Sequence, residues 1–572
     1  MNKSFLLFFL FVFGFGSSQK GDEKNLIIQD SIIIKTKDDG TLSLTLILNK
    51  NKLPENTVLV NTIYPDPKNI DLVKNFVNND YVAVILNSRG KYLSENTIEP
   101  FEHEANDINE VIDWIIKQPW SNGKVGMIGG SYLGFSQWAA TKNLHPALKT
   151  IVPEAATGIG TINFPMINNI FSCYSLQWLD YVTFNKTTNS KSFYDQKKWN
   201  SVFKTWYQSG LPFRKLDSIS GKPNYIFQRW LDHPNYDEYW KKMIPYHEDF
   251  SKITIPILST TGYFDADKSG ALYYFREHNK YKKENEHYLI IGPYDHSGAQ
   301  GFIKNELRGY KIDPVASIDL NKIWLEWFDY IFKNQPKPSF LKDKINFQVM
   351  GTNEWRSTRS MDVFEKNKAK FYLNNEEGNL SLSNSKTGNN NFSTLKIDLK
   401  DRTDADELLS LKYNIVDDNL YTKNNLLFKT EPFKKSLEFS GSFSGDIVFS
   451  VNKKDADLYL SLYEETTNGQ YFLLSSYVTR ASYANDSERR TLLTAGKIKD
   501  ISFINNDFVS KKIEKGSKLI VMIGVVKSPY WQLNYGTGKE VSTEDMSDAK
   551  EPMEIKLYNK SYIEFPLFEK SK

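Results

Sequence analysis

The chain has 572 residues, too many for one hydrophobic core; at roughly 100 to 200 residues per domain it predicts about three. Hydrophobic residues make up 40% and aromatic residues 14%, which excludes a disordered or solvating chain. A formal charge of +3 without blocks of like charge gives no electrostatic reason to expect nucleic acid or an anionic membrane as partner, and points to small ligands.

At the start, Lys3 precedes an apolar run over 5–15, and Gly16, Ser17 and Ser18 follow it. This pattern predicts a secretory signal peptide over residues 1–19, too short to span a membrane, with an anchor left uncleaved as the alternative. The mature chain is then exported, periplasmic or secreted, with no membrane attachment. Its single cysteine, Cys173, cannot form an internal disulfide and is read as core, so neither thiol chemistry nor a zinc framework is available.

From about Thr57, short Val- and Ile-rich runs at 58–63, 81–86, 124–128 and 150–152 alternate with amphipathic stretches. The clearest of these, 108–117, places Val111, Ile112, Ile115 and Ile116 on one helix face. The rhythm predicts a parallel sheet covered on both faces over 20–155. Residues 156–250 break it, with many aromatics at helix-compatible spacing, and read as a helical insertion. Strands at 256–260 and 287–291 and a helix at 323–332 then complete the α/β unit over 251–335. After the linker Asn334-Gln335-Pro336-Lys337-Pro338, alternating strands such as Leu458, Leu460 and Leu462, with runs at 345–350, 371–373, 447–451, 519–526 and 563–565, predict an antiparallel sandwich over 340–572. Residues 374–394 are read as a long polar connection.

The chemistry centres on Gly129-Gly130-Ser131-Tyr132-Leu133-Gly134. A strand runs into small residues around a serine and a helix can follow, which is the setting of a nucleophile elbow in an α/β-hydrolase fold. The usual glycine two residues after the serine is displaced to Gly134. A structural Gly-rich turn and a phosphate cradle are the competing readings, and neither G-x-x-x-x-G-K-[ST] nor G-x-G-x-x-G is present.

A serine nucleophile needs a base, and the order nucleophile, acid, histidine removes His103. His145 follows the elbow helix, His233 and His247 fall in the insertion, His278 lies in a polar helical stretch and His287 begins a strand. His296 alone follows a strand end, after Gly292-Pro293-Tyr294-Asp295. The strand before it leads through Gly262-Tyr263-Phe264 to Asp265, with Asp267 as the rival acid; Asp295 reads as a turn cap or a partner for a nearby base. Three strand ends thus carry Ser131, Asp265 and His296 in the required order. The backbone N–H of Tyr132 supplies one oxyanion donor. Tyr64, at the end of the first strand and before Pro65 and Pro67, reads on the sequence alone as a strand-end aromatic.

With these residues assembled, the chain resembles the cocaine esterase and X-Pro dipeptidyl peptidase group of serine hydrolases, which includes α-amino acid ester hydrolases and glutaryl acylases. The resemblance rests on Ser88-Arg89-Gly90, Glu104 and Asp107, the stretch from Gln118 to Gly126, the elbow with its displaced glycine, Gly262 to Asp265, Ile291 to His296, and Val349 to Arg356. It implies an α/β-hydrolase domain with an inserted helical cap and a C-terminal jelly roll. It also implies Ser131 as nucleophile, His296 as base, Asp265 as its acid, and Tyr64 beside Tyr132 in the oxyanion hole. Asn87 departs from the aspartate common in the group. Asp267 is the one carboxylate left to bind substrate, and Lys268 beside it is expected to offset its charge against an α-amino group.

The sequence therefore predicts an exported serine hydrolase acting on a small ester, amide or short peptide without metal or organic cofactor. X-Pro dipeptidyl peptidase and α-amino acid ester hydrolase or acylase are the alternatives in kind. A glycan-binding protein with an inactive hydrolase domain is the alternative in class, disfavoured by the complete triad and by a C-terminal region without histidine.

Overall fold

The computed structural model describes residues 26–50, 54–366, 368–388 and 391–568, so the signal peptide expected over 1–19 lies outside the described residues. Ten strands form the first sheet: β1 (Leu26–Lys35), β2 (Thr41–Asn49), β3 (Glu55–Thr62), β4 (Val82–Asn87), β5 (Ser121–Gly130), β6 (Leu148–Glu154), β7 (Ile257–Gly262), β8 (His287–Gly292), β9 (Ile345–Val349) and β10 (Glu354–Thr358). Their order is β1-β2-β4-β3-β5-β6-β7-β8-β9-β10. All neighbours from β4 through β9 pair parallel, while β1, β2 and β10 add antiparallel edges.

Helices cover both faces. On one side Phe76 of α1 (Ile70–Asn78) meets Phe328 of the last helix of the unit, Leu320–Lys333, with ring centroids 4.8 Å apart. On the other side α2 (Glu104–Ile115) packs on α3 (Tyr132–Thr141), and Trp138 of α3 stacks at 4.7 Å on Tyr274 of α4 (Lys268–Tyr281). The buried residues of α2 recur at the three- and four-residue spacing that the sequence suggested; Ile116 falls beyond its last turn and is exposed.

Two strand assignments differ from the sequence reading. The strand after the proline linker is β9, which joins β8 in parallel instead of entering the C-terminal sheets. It is buried on both faces, as a strand inside a parallel sheet must be, so its side chains show no alternation to mark its membership. Residues 374–394 are not a long connection either: Asn379–Ser383 pairs antiparallel with Ala369–Glu376 across a turn at Glu377 and Gly378, both at positive φ.

The chain between β6 and β7 contains helices Tyr174–Val182, Gln196–Ser209 and Tyr225–Leu231 together with three short strands that the sequence did not signal, Ile159–Gly160, Phe164–Ile167 and Ile170–Phe171. Trp199, Trp206, Tyr207, Phe227, Trp230 and Trp240 are buried, so the aromatic spacing of this segment reports its core. From residue 369 on the chain is mostly antiparallel β-sheet. It grips the inserted segment through Cys173 N–H to Tyr530 O (2.9 Å), Gln532 N–H to Phe171 O (2.9 Å) and Tyr236 N–H to Ser487 O (3.0 Å). Cys173 is fully buried at this seam, its thiol donating to Pro529 O. Among the described residues no helix is long and apolar enough to cross a membrane.

Candidate active site

β5 ends at Gly130 and α3 begins at Tyr132, leaving Ser131 alone in the turn at φ 60°, ψ −123°, a conformation that non-glycine residues adopt only where surrounding structure enforces it. Here Ser131 N–H donates to Glu154 O (2.9 Å), its carbonyl accepts from Phe135 N–H (2.9 Å), and Thr157 N–H adds a longer bond to the same carbonyl (3.3 Å). Gly134 explains the displaced glycine. A Cβ there would lie 2.9 Å from Cα and Cβ of Ala156, so its absence lets α3 lie directly on the chain leaving β6.

β7 and β8 end side by side, with Gly262 paired to Gly292, and each releases one functional side chain just beyond the sheet. Asp265 is completely buried and its carboxylate accepts three hydrogen bonds: His296 Nδ1 at 2.8 Å, Thr261 Oγ1 at 2.8 Å and Asp267 N–H at 2.9 Å. Burial alone would raise the Asp265 pKa, but the His296 imidazole beside it and these donors hold it below the usual carboxylate range. Burial likewise pulls His296 down, and Asp265, with Asp267 and Asp295 further off, overrides it and pushes the imidazole up to about 9. Asp267, the rival acid, stands 3.9 Å from the same Nδ1, so the contact belongs to Asp265.

The loop carrying His296 is tied to the elbow. Gln300 Nε2 donates to His296 O (2.9 Å), and the Gln300 side chain occupies the space a Cβ on Gly130 would need. His296 is thus paired with its acid, while Ser131 Oγ makes no hydrogen bond among the described residues. Asp295 caps its own turn through Gly298 N–H and pairs with Lys304.

On the other side of the elbow the two tyrosines differ. The Tyr132 phenol points away from solvent and donates to the buried Glu104, so only its backbone N–H, without an intrahelical acceptor at the first position of α3, is suited to receive an oxyanion. Tyr64 follows β3; its carbonyl is held by Asn69 Nδ2 (2.8 Å), and its ring stacks on Tyr181 at 5.5 Å and meets Tyr132 edge-on at 6.2 Å. Its phenol oxygen accepts from Trp178 Nε1 at 2.9 Å. Burial raises the Tyr64 pKa well above the ordinary phenol value, so it stays a neutral donor. Trp178 was among the cap aromatics visible in the sequence, but nothing in the sequence linked it to Tyr64.

The expectation about Lys268 is overturned. Its ammonium turns to Asp507 of the C-terminal region (3.2 Å), which also accepts from Ser269 Oγ (2.6 Å), and it does not pair with Asp267. The Asp267 carboxylate accepts from Thr157 Oγ1 (2.7 Å), and burial pushes its carboxyl up to about 6. The motif residues upstream support this geometry. Arg89 forks onto Asp107 (2.5 and 2.7 Å) and Asp38 (2.8 and 2.9 Å), bracing α2, which presents Glu104 to Tyr132. The remaining histidines lie elsewhere: His278 and His287 form a buried chain with Ser259, whose hydroxyl is 2.8 Å from His287 Nε2 but sealed inside the core.

Residues 35–298 match the family model of the X-Pro dipeptidyl-peptidase (S15 family), and residues 341–550 that of the X-Pro dipeptidyl-peptidase C-terminal non-catalytic domain. The chain is 23% identical over 500 residues to the cocaine esterase of Rhodococcus sp. (strain MB1 Bresler), covering 83% of this chain and 85% of the esterase. Among solved structures it superposes on an aminopeptidase from a marine sediment Thaumarchaeota archaeon with TM-score 0.80 and 19% identity, covering 97% of this chain and 98% of that one. An α-amino acid ester hydrolase matches with TM-score 0.78 and 20% identity, covering 98% and 100%. Both structural likenesses establish the α/β-hydrolase fold with its β-rich C-terminal domain.

Proposed function

The chain carries the catalytic and the C-terminal domain of the S15 family and is a serine hydrolase of that kind, and from this premise we propose that it cleaves a carboxylic ester or amide through an acyl-enzyme on Ser131. The observation that carries the reading is the 2.8 Å bond from His296 Nδ1 to a fully buried Asp265, on a loop pinned to the strained elbow. Fixing the proton on Nδ1 leaves Nε2 free to accept the Ser131 proton as Oγ attacks the carbonyl carbon. The resulting oxyanion receives the Tyr132 N–H and the Tyr64 O–H. Collapse expels the alcohol or amine, which takes its proton from His296; a water deprotonated by the same nitrogen then frees the acid and restores Ser131. Export follows from the N-terminal run.

One observation favours a second, narrower reading. With Lys268 engaged by Asp507, Asp267 shares only the His296 imidazole, 3.9 Å away and already bonded to Asp265, which suits it to an ammonium on the acyl side of the substrate, as in an α-amino ester or aminoacyl amide. The test is a hydrolysis panel of p-nitrophenyl esters beside aminoacyl and Xaa-Pro anilides. Ser131→Ala should lose turnover of every substrate, and fluorophosphonate labelling, by several orders of magnitude. Residual near-wild-type turnover in that variant removes Ser131 from the mechanism. Asp265→Asn should impair all substrates, while Asp267→Asn should raise KM for aminoacyl substrates alone; the reverse pattern exchanges their roles.

A further inference from the structure

The oxyanion reading leaves open what makes a single tyrosine phenol a well-aimed donor. A phenol has one proton and two lone pairs, and its O–H can lie to either side in the ring plane unless a partner fixes it. At Tyr64 that partner is the indole N–H of Trp178, which donates to the phenol oxygen at 2.9 Å. Since the oxygen is the acceptor in this bond, the Tyr64 proton is excluded from it and must be directed elsewhere. Accepting a hydrogen bond also polarises the O–H, making it a stronger donor to a developing negative charge. Trp178 itself has little freedom. It is 6% exposed, stacks on Phe101 at 5.4 Å and meets Phe164 edge-on at 5.2 Å. It stands on helix Tyr174–Val182 of the inserted segment, whereas Tyr64, Ser131 and His296 all stand on the α/β unit. Tyr181 of the same helix stacks on the Tyr64 ring, so one helix sets both the plane of the ring and the hydrogen bonding of its oxygen.

We infer that Trp178 is a positioning residue of the oxyanion hole, orienting and polarising the Tyr64 phenol through its indole N–H, so that the inserted segment takes part in transition-state stabilisation without touching the reacting atoms. The inference rests on the reading that Tyr64 donates to the oxyanion. It differs from a packing role in its signature: the N–H acts only through Tyr64 and only when charge develops, so its loss lowers kcat and leaves KM nearly unchanged.

The experiment is a double-mutant cycle on the full chain with a neutral p-nitrophenyl ester. Trp178→Phe should lower kcat about tenfold with KM within about twofold, and adding Trp178→Phe to Tyr64→Phe should lower kcat no further than Tyr64→Phe alone. The thermal midpoint should fall less in the Tyr64→Phe background, where the indole N–H has already lost its acceptor and only packing remains to be lost. Should Trp178→Phe fail to fold, replacing Trp178 with β-(3-benzothienyl)alanine keeps the ring shape, deletes only the N–H and is expected to give the same kcat loss. An unchanged kcat in either variant, or a double mutant whose loss is the product of the two single losses, overturns the inference while Tyr64→Phe remains impaired. A Tyr64→Phe variant with wild-type kcat overturns the oxyanion reading and this inference with it.

Discussion

Tyr64 and Tyr132 meet edge-on with ring centroids 6.2 Å apart, and in the proposed mechanism each offers the oxyanion a different kind of donor, which separates them by mutation. Tyr64→Phe deletes the phenol proposed to act on the tetrahedral intermediate, so kcat should fall about a hundred- to a thousand-fold, with stability lowered by about 1–3 kcal/mol because the buried Trp178 N–H loses its acceptor. Tyr132→Phe keeps the backbone N–H and instead strips the buried Glu104 of its phenol donor; stability should fall by about 1–3 kcal/mol while kcat stays within a fewfold. A kcat collapse in Tyr132→Phe with no melting shift would contradict this division. The electrostatics of His296 give a pH test as well. Its raised pKa means the imidazole is protonated, and inactive as a base, until pH climbs above the ordinary histidine range, so kcat/KM for a neutral ester should rise with pH through that higher value. Asp267→Asn removes one of the anions holding the proton on and should move this limb to lower pH; a limb that stays put or moves upward would separate Asp267 from the base. The placement of Ser131, Asp265 and His296 within a few residues of three strand ends was legible in the sequence, because local pattern and chain order suffice for it. Trp178's bond to Tyr64 and Lys268's to Asp507 were not legible, because each joins residues more than a hundred positions apart and nothing local marks the pair.

At the scale of elements, the elbow depends on how closely α3 approaches the chain leaving β6, and Gly134 is where that closeness is set. An alanine in a helix interior is ordinarily worth about 1 kcal/mol of stability over glycine, so an unconstrained site would be stabilised by Gly134→Ala. With Ala156 only 2.9 Å from the new methyl group, overpacking at about 1–3 kcal/mol should win. The expected result is a lower thermal midpoint and reduced kcat, because relief of the clash must shift α3 and with it Ser131. A raised midpoint at full activity would show that the glycine is incidental. The same contrast between local pattern and tertiary setting decides which strands could be read. Alternating segments such as Asp457–Glu465, where Leu458, Leu460 and Leu462 are buried and Tyr459 and Tyr463 less so, announce themselves. β9 does not: burial on both faces erases the period, and a proline linker before it suggested a domain boundary that the sheet crosses.

Over the whole molecule, the C-terminal domain touches the surroundings of the candidate active site by holding Lys268. That ammonium begins α4, one residue after Asp267, and is drawn off by Asp507 on the C-terminal domain, so the charge seen by an incoming substrate is set across a domain boundary. Breaking this contact should convert Lys268 from a bystander into a competitor. In Asp507→Asn the amide can still accept from Ser269 but no longer offsets the ammonium, leaving Lys268 free to turn toward Asp267. Partial neutralisation of Asp267 should then weaken binding of an ammonium-bearing substrate by about 1 kcal/mol, roughly fivefold in KM, given the partly exposed setting of such pairs. A neutral p-nitrophenyl ester, which has nothing for Asp267 to grip, should keep its KM. Because both substrates pass through the same triad, their ratio isolates the charge effect from any general loosening of the domain contact. Equal changes in KM for the two substrates would mean that Asp507 serves only to dock the domains, whereas recovery of the aminoacyl KM on adding Lys268→Gln would place the effect on the released lysine.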